Sequence, residues 1–160
     1  MFKHKLDQES SYKLDSSRVY DSVLALPQQI GGLWEGLTEL KIGKACRLVY
    51  NFVVVGMGGS ALGARVVKSM CSDKLMLPLE IVNNYHLPAY VDERSLVILS
   101  SYSGGTEEVL HAAKEAEARK SCVVVIAGGG SLVEMAEKNN WPVLKLKEEY
   151  NPSKQPRMAI

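Results

Sequence analysis

Five short apolar runs alternate along this chain with segments of helical periodicity. The run Asn51-Phe52-Val53-Val54-Val55 places β-branched and apolar side chains on successive positions, the pattern of a parallel strand covered on both faces. Leu79-Glu80-Ile81-Val82, Ser95 to Ser100, Ser121 to Ala127 and Trp141 to Leu146 predict four more strands. Between them Ala61 to Met70, the stretch from Thr106 through about Arg119, and Leu132 to Lys138 carry helical spacing. Strand, turn, helix and strand in that repeated order predict an α/β fold, a doubly wound five-stranded parallel sheet.

Ahead of the sheet, Val19, Val23, Leu24, Leu26, Ile30, Leu33, Trp34, Leu37 and Leu40 recur at helical spacing, interrupted by Pro27 and Gly31-Gly32. Two N-terminal helical pieces with a kink are expected, with Trp34 in the core rather than stacked on a ligand. Residues 1–16 are polar and aperiodic and read as a lead-in. Residues 17–147 form one domain, and residues 148–160, which include Pro152 and Pro156, read as a linker.

Composition narrows the partners. Nineteen basic residues face 18 acidic ones in 160, a net charge of +1, so no basic face is forced and nucleic acid is not the expected partner. The mixed charges Lys114, Glu115, Glu117, Arg119 and Lys120 read as a solvated helix surface. Cys46, Cys71 and Cys122 are odd in number and widely spaced, which supports neither a disulfide framework nor a zinc site, and a reducing compartment is expected. The first residues hold no apolar signal core and no run reaches a membrane span, so a cytoplasmic protein without membrane association is expected.

The candidate chemistry lies in the turns. Gly56-Met57-Gly58-Gly59-Ser60 follows the first predicted strand, and Ser101-Tyr102-Ser103-Gly104-Gly105-Thr106 follows the third. Each combines glycines with cap-type hydroxyls where a helix begins. The unpaired N–H groups and positive dipole end of a helix N-terminus suit an anion such as a phosphate, and glycine lets the backbone approach it. Taken singly, such residues are ordinary caps and turn formers; two such turns at the carboxyl ends of buried strands point to an anion site. The turn Gly128-Gly129-Gly130-Ser131 is open to either reading. Gly56 to Ala61 also fits the G-x-G-x-x-A dinucleotide fingerprint, but the second strand runs into Asn83 and Asn84, where a ribose-binding acid belongs. His86, His4, His111 and Glu107 are weaker candidates for the cleft, Glu107 reading as a capping-type residue.

Gly56 to Ser60, Ser101 to Thr106 with Glu107, and Gln155-Pro156-Arg157 together resemble the sugar isomerase (SIS) domains, above all those of bifunctional phosphoglucose/phosphomannose isomerases. The resemblance implies a flavodoxin-like sheet and a hexose 6-phosphate ligand. Ser101, Ser103 and Thr106 would hold the phosphate, Gly58, Gly59 and Ser60 would line the sugar side, Tyr102 would belong to the same substrate site, and Arg157 would stabilise the oxygens that turn negative during enolisation. It implies no metal or cofactor, and assembly as a homodimer or with a second SIS domain. In such isomerases the glutamate base and the ring-opening histidine belong to that second domain, so this chain is expected to bind sugar phosphate without turning it over. A sugar-phosphate sensor and a dinucleotide-binding domain are the alternatives. Gly105 and Ala61 depart from residues frequent at these positions of the family.

Overall fold

The computed structural model describes residues 14–147 and 151–155. Two helices, α1 (Val19–Leu24) and α2 (Leu26–Glu39), lead into a 3-10 turn at Lys44–Arg47. The five strands are β1 (Asn51–Val55), β2 (Leu79–Val82), β3 (Ser95–Ser101), β4 (Cys122–Ala127) and β5 (Val143–Lys145). Between them lie α3 (Leu62–Met70), α4 (Glu107–Ala118) and α5 (Gly130–Lys138), with a 3-10 turn at Gly58–Ala61 before α3. The strands form one parallel sheet in the order β2-β1-β3-β4-β5, as the alternation predicted.

The side chains of alternate strand positions supply the two faces. Val53, Val55, Val97, Leu99, Val123 and Val125 pack with Val109, Ala112, Ala113 and Ala116 of α4 and with Leu132 and Ala136 of α5. The alanines let these helices lie close to the sheet. A fully buried Val or Leu contributes about 1.5–3 kcal/mol, so this layer holds the carboxyl ends of β1 and β3 in place. The opposite face carries Phe52, Leu96, Ile98 and Val124 with Leu40 and Val49.

Three expectations change. The kink falls at Ala25, with Pro27 inside the first turn of α2 where its missing N–H costs nothing, and Gly31-Gly32 lie within an unbroken helix. Trp34 is 70% exposed rather than core, because helical spacing reports a stripe but not whether anything covers it. Cys46 and Cys122 form a disulfide with Cα atoms 5.5 Å apart. Their separation of 76 residues hid a contact between the turn before β1 and the start of β4.

The mixed-charge face of α4 is likewise only partly solvated. The Arg119 guanidinium donates to the carbonyls of Pro88 (2.6 Å) and Leu87 (3.4 Å) and to Glu115 Oε2 (2.9 Å), which also accepts the Leu87 N–H at 2.9 Å. Together these residues clamp the β2–β3 connection onto the helix. Ser153 is buried against α1, where its Oγ shares a 2.9 Å hydrogen bond with Ser22 Oγ.

Candidate functional site

The sheet reverses its winding between β1 and β3: the chain leaves β1 for its neighbour on one side and β3 for its neighbour on the other. The connections diverge there and open a crevice at the carboxyl ends of both strands. The turns Gly56–Ser60 and Ser101–Thr106 follow those two ends, so Gly58, Gly59, Ser60, Ser101, Tyr102, Ser103 and Thr106 come together at the carboxyl end of the sheet. Hydrogen bonds tie the turns to each other. Ser100 Oγ donates to the Ser60 carbonyl at 2.7 Å, and the Tyr102 N–H donates to Ser60 Oγ at 3.2 Å. Gly58 is exposed at the tip of the first turn.

In the second turn the hydroxyls divide their work. Ser101 is buried, its Oγ accepting the Gly104 N–H at 3.1 Å and meeting Thr106 Oγ1 at 2.8 Å. Ser103 is exposed and its Oγ accepts the Gly105 N–H at 3.3 Å, which leaves its O–H to donate outward. Thr106 occupies the N-cap of α4, yet its side chain makes no cap bond because it meets Ser101 instead. The first turn of α4 is therefore without a side-chain cap, and its N–H groups and positive dipole end suit an anion. Glu107 and Glu108 stand in that same turn, and Glu107 Oε2 accepts the Tyr85 O–H at 3.4 Å. The charge of Glu108, then burial and the charge of Glu107, push the exposed Tyr85 phenol above its ordinary value.

The turn after β4, which the sequence left open, supports this one from behind. Gly128 N–H donates to the Tyr102 carbonyl at 3.0 Å, and Leu132 N–H donates to the Gly104 carbonyl at 2.9 Å. The contact is tight enough to require glycine. A Cβ on Gly104, at φ 68°, would stand 1.7 Å from the Gly129 carbonyl oxygen, and one on Gly130, at φ 70°, would stand 2.6 Å from the Ser103 carbonyl oxygen.

Other candidates point elsewhere. Asn83, just past β2, donates its amide to the Gly56 carbonyl and accepts from Arg65, and Glu80 accepts the Tyr90 hydroxyl, so neither is a carboxylate waiting at the end of β2 for a ribose. His86 Nδ1 lies 2.7 Å from Glu115 on the flank of α4, and His111 Nε2 lies 3.4 Å from the same oxygen. Burial would raise the Glu115 carboxyl, but hydrogen bonds from His86 and the Leu87 N–H and the charge of Arg119 hold it below the ordinary value. Arg157 and His4 lie outside the described residues. Sequence reading missed Asn83 as the brace of the first turn and the Tyr102 backbone as the hub of all three. The amide directly after a strand was the available signal for the first; main-chain bonding carries none for the second.

No family model matches the chain. It is 37% identical over 134 residues to the bifunctional phosphoglucose/phosphomannose isomerase of Caldicellulosiruptor bescii, a match that covers 84% of this chain. The chain is a relative of the bifunctional phosphoglucose/phosphomannose isomerases. It spans 40% of the length of that protein. Among solved structures, a Clostridium difficile 630 protein assigned as a phosphosugar isomerase superposes with a TM-score of 0.66 at 17% identity, over 88% of this chain and 44% of its own. A protein of Escherichia coli CFT073 gives a TM-score of 0.63 at 18% identity, over 96% of this chain and 84% of its own. At these identities the likeness is one of fold, and the relationship to the bifunctional isomerases rests on the sequence match.

Proposed function

We propose that this chain is the sugar-phosphate-binding part of a hexose 6-phosphate aldose–ketose isomerase acting on glucose 6-phosphate and mannose 6-phosphate. The carrying observation is the pair of glycine and hydroxyl turns, joined through Ser60 and the Tyr102 backbone at the switch point between β1 and β3, beside a helix N-terminus without a side-chain cap. Ser103 and Thr106, with the N–H groups at the start of α4, hold the phosphate, and buried Ser101 holds the turn that presents them. Gly58, Gly59 and Ser60 face the sugar.

Isomerisation between C1 and C2 requires a base that removes a proton from C2 and returns it to C1 through an enediol, and a group that stabilises the oxygen left negative. Arg157 has the fixed charge and donors for the second task. The base is supplied from outside these residues, by a second SIS domain or a partner subunit, so this chain alone binds without turnover. The proposed setting is the cytoplasm, and the proposed assembly is a homodimer, to which the exposed Ile30, Trp34 and Leu37 of α2 offer an apolar surface. Among the described residues, no helix is long and apolar enough to cross a membrane.

Calorimetric titration with fructose 6-phosphate and, separately, NAD tests the proposal. Saturable binding of the sugar phosphate without isomerisation on the same sample is expected. Binding of NAD alone would replace it with a dinucleotide domain, and turnover would place a base within this chain.

A further inference from the structure

Away from the cleft, one cluster of side chains has the composition and spacing of a metal site. His111 and Glu115 are four residues apart and share one face of α4, and His86 reaches them from the connection between β2 and β3. We propose that His86, His111 and Glu115 bind a divalent cation of the zinc class. His86 Nδ1 lies 2.7 Å from Glu115 Oε1, His111 Nε2 lies 3.4 Å from the same oxygen, and the three ligand atoms are all within 4.8 Å of one another. In a tetrahedral zinc site, metal–ligand bonds of about 2.0–2.2 Å set the ligand atoms about 3.3–3.6 Å apart. The present spacing brackets that value, and small rotations of two exposed imidazoles close the difference.

The carboxylate is already aimed. Its Oε2 accepts from the Leu87 N–H and from Arg119, each at 2.9 Å, which fixes the group so that Oε1 is the oxygen presented to both rings. Hydrogen bonds that orient a ligand in this way are a regular feature of built metal sites. Two imidazoles and one carboxylate are the donor set that borderline divalent cations prefer, and hard cations such as Mg2+ are matched poorly. Side-chain exposures of 71% for His86 and 45% for His111 give the ion an entry path and leave its remaining position to water. Binding would pin the β2–β3 connection to α4, the helix that starts at the hydroxyl turn. This site does not depend on what the crevice binds.

Titration of the whole chain with Zn2+ alone, monitored by calorimetry and by thermal unfolding, tests it. One equivalent is expected to bind saturably and to raise Tm. His86→Ala and His111→Ala are each expected to weaken binding about 10-fold or more, and the double variant to abolish both the binding and the Tm rise. Glu115→Gln is expected to weaken it as well. Both histidines are exposed, so the metal-free Tm of their variants should stay near that of the parent, which separates a lost ligand from a lost fold. The proposal is overturned if no stoichiometric Zn2+ binds, or if the double variant binds it as the parent does, since the ion would then sit elsewhere, for example on the free thiol of Cys71.

Discussion

The turns after β3 and after β4 begin from similar material, a glycine-rich stretch that opens a helix at the same end of the sheet, and the structure puts them to different uses. After β3, Ser101, Ser103 and Thr106 place hydroxyls around the start of α4, with Ser103 exposed. After β4, the glycines serve close approach: Gly129 and Gly130 press against Gly104 and Ser103 from behind. One turn displays polar groups; the other shapes the backbone that displays them. Glycine alone therefore does not mark a ligand site, and the hydroxyls around it carry the distinction.

The comparison breaks most completely at the contact itself. Gly104→Ala drives a methyl into the Gly129 carbonyl in a left-handed backbone conformation, and a destabilisation of about 2–5 kcal/mol is expected in urea unfolding, with loss of sugar-phosphate binding. Next comes the double variant Ser103→Ala/Thr106→Ala. Hydrogen bonds to a charged ligand contribute about 1.5–3 kcal/mol each, so affinity for fructose 6-phosphate should fall about 100-fold or more, while losing the Thr106 bond to buried Ser101 costs only about 0.5–1.5 kcal/mol of stability. Ser60→Ala removes the bridge to the Tyr102 N–H, and a loss of about 0.5–1.5 kcal/mol in stability with a few-fold weaker binding is expected by the same measurements. Smallest is Ser131→Ala: this exposed hydroxyl belongs to the buttressing turn, and calorimetry should show affinity unchanged within about twofold.

The sheet was legible because a parallel strand buried on both faces must be apolar at successive positions, and Val53 to Val55 and Val123 to Val125 state that directly. The two hydroxyl turns were legible for a related reason, since a glycine-rich break after such a strand has to lie at its carboxyl end. What escaped was whatever depends on distant partners. Trp34 sits on a helical stripe that the described residues leave uncovered, and Cys46 meets Cys122 only because the fold brings the two ends of their separation together. Glu115 and Arg119 looked like surface charges because their sequence does not show the carbonyls of Leu87 and Pro88 that Arg119 caps. The buttressing role of Gly130 is of this kind too: its need for glycine comes from Ser103, on another turn.

The most direct test of this division is an amide map by 1H–15N NMR during titration with fructose 6-phosphate. The largest shifts are predicted at the N–H groups of Ser103 to Glu108 and of Gly58 to Ser60, with smaller, secondary changes at Gly128 to Ser131. Shifts centred on Gly128 to Ser131, with Ser103 to Glu108 unmoved, would contradict the account and make the turn after β4 the site.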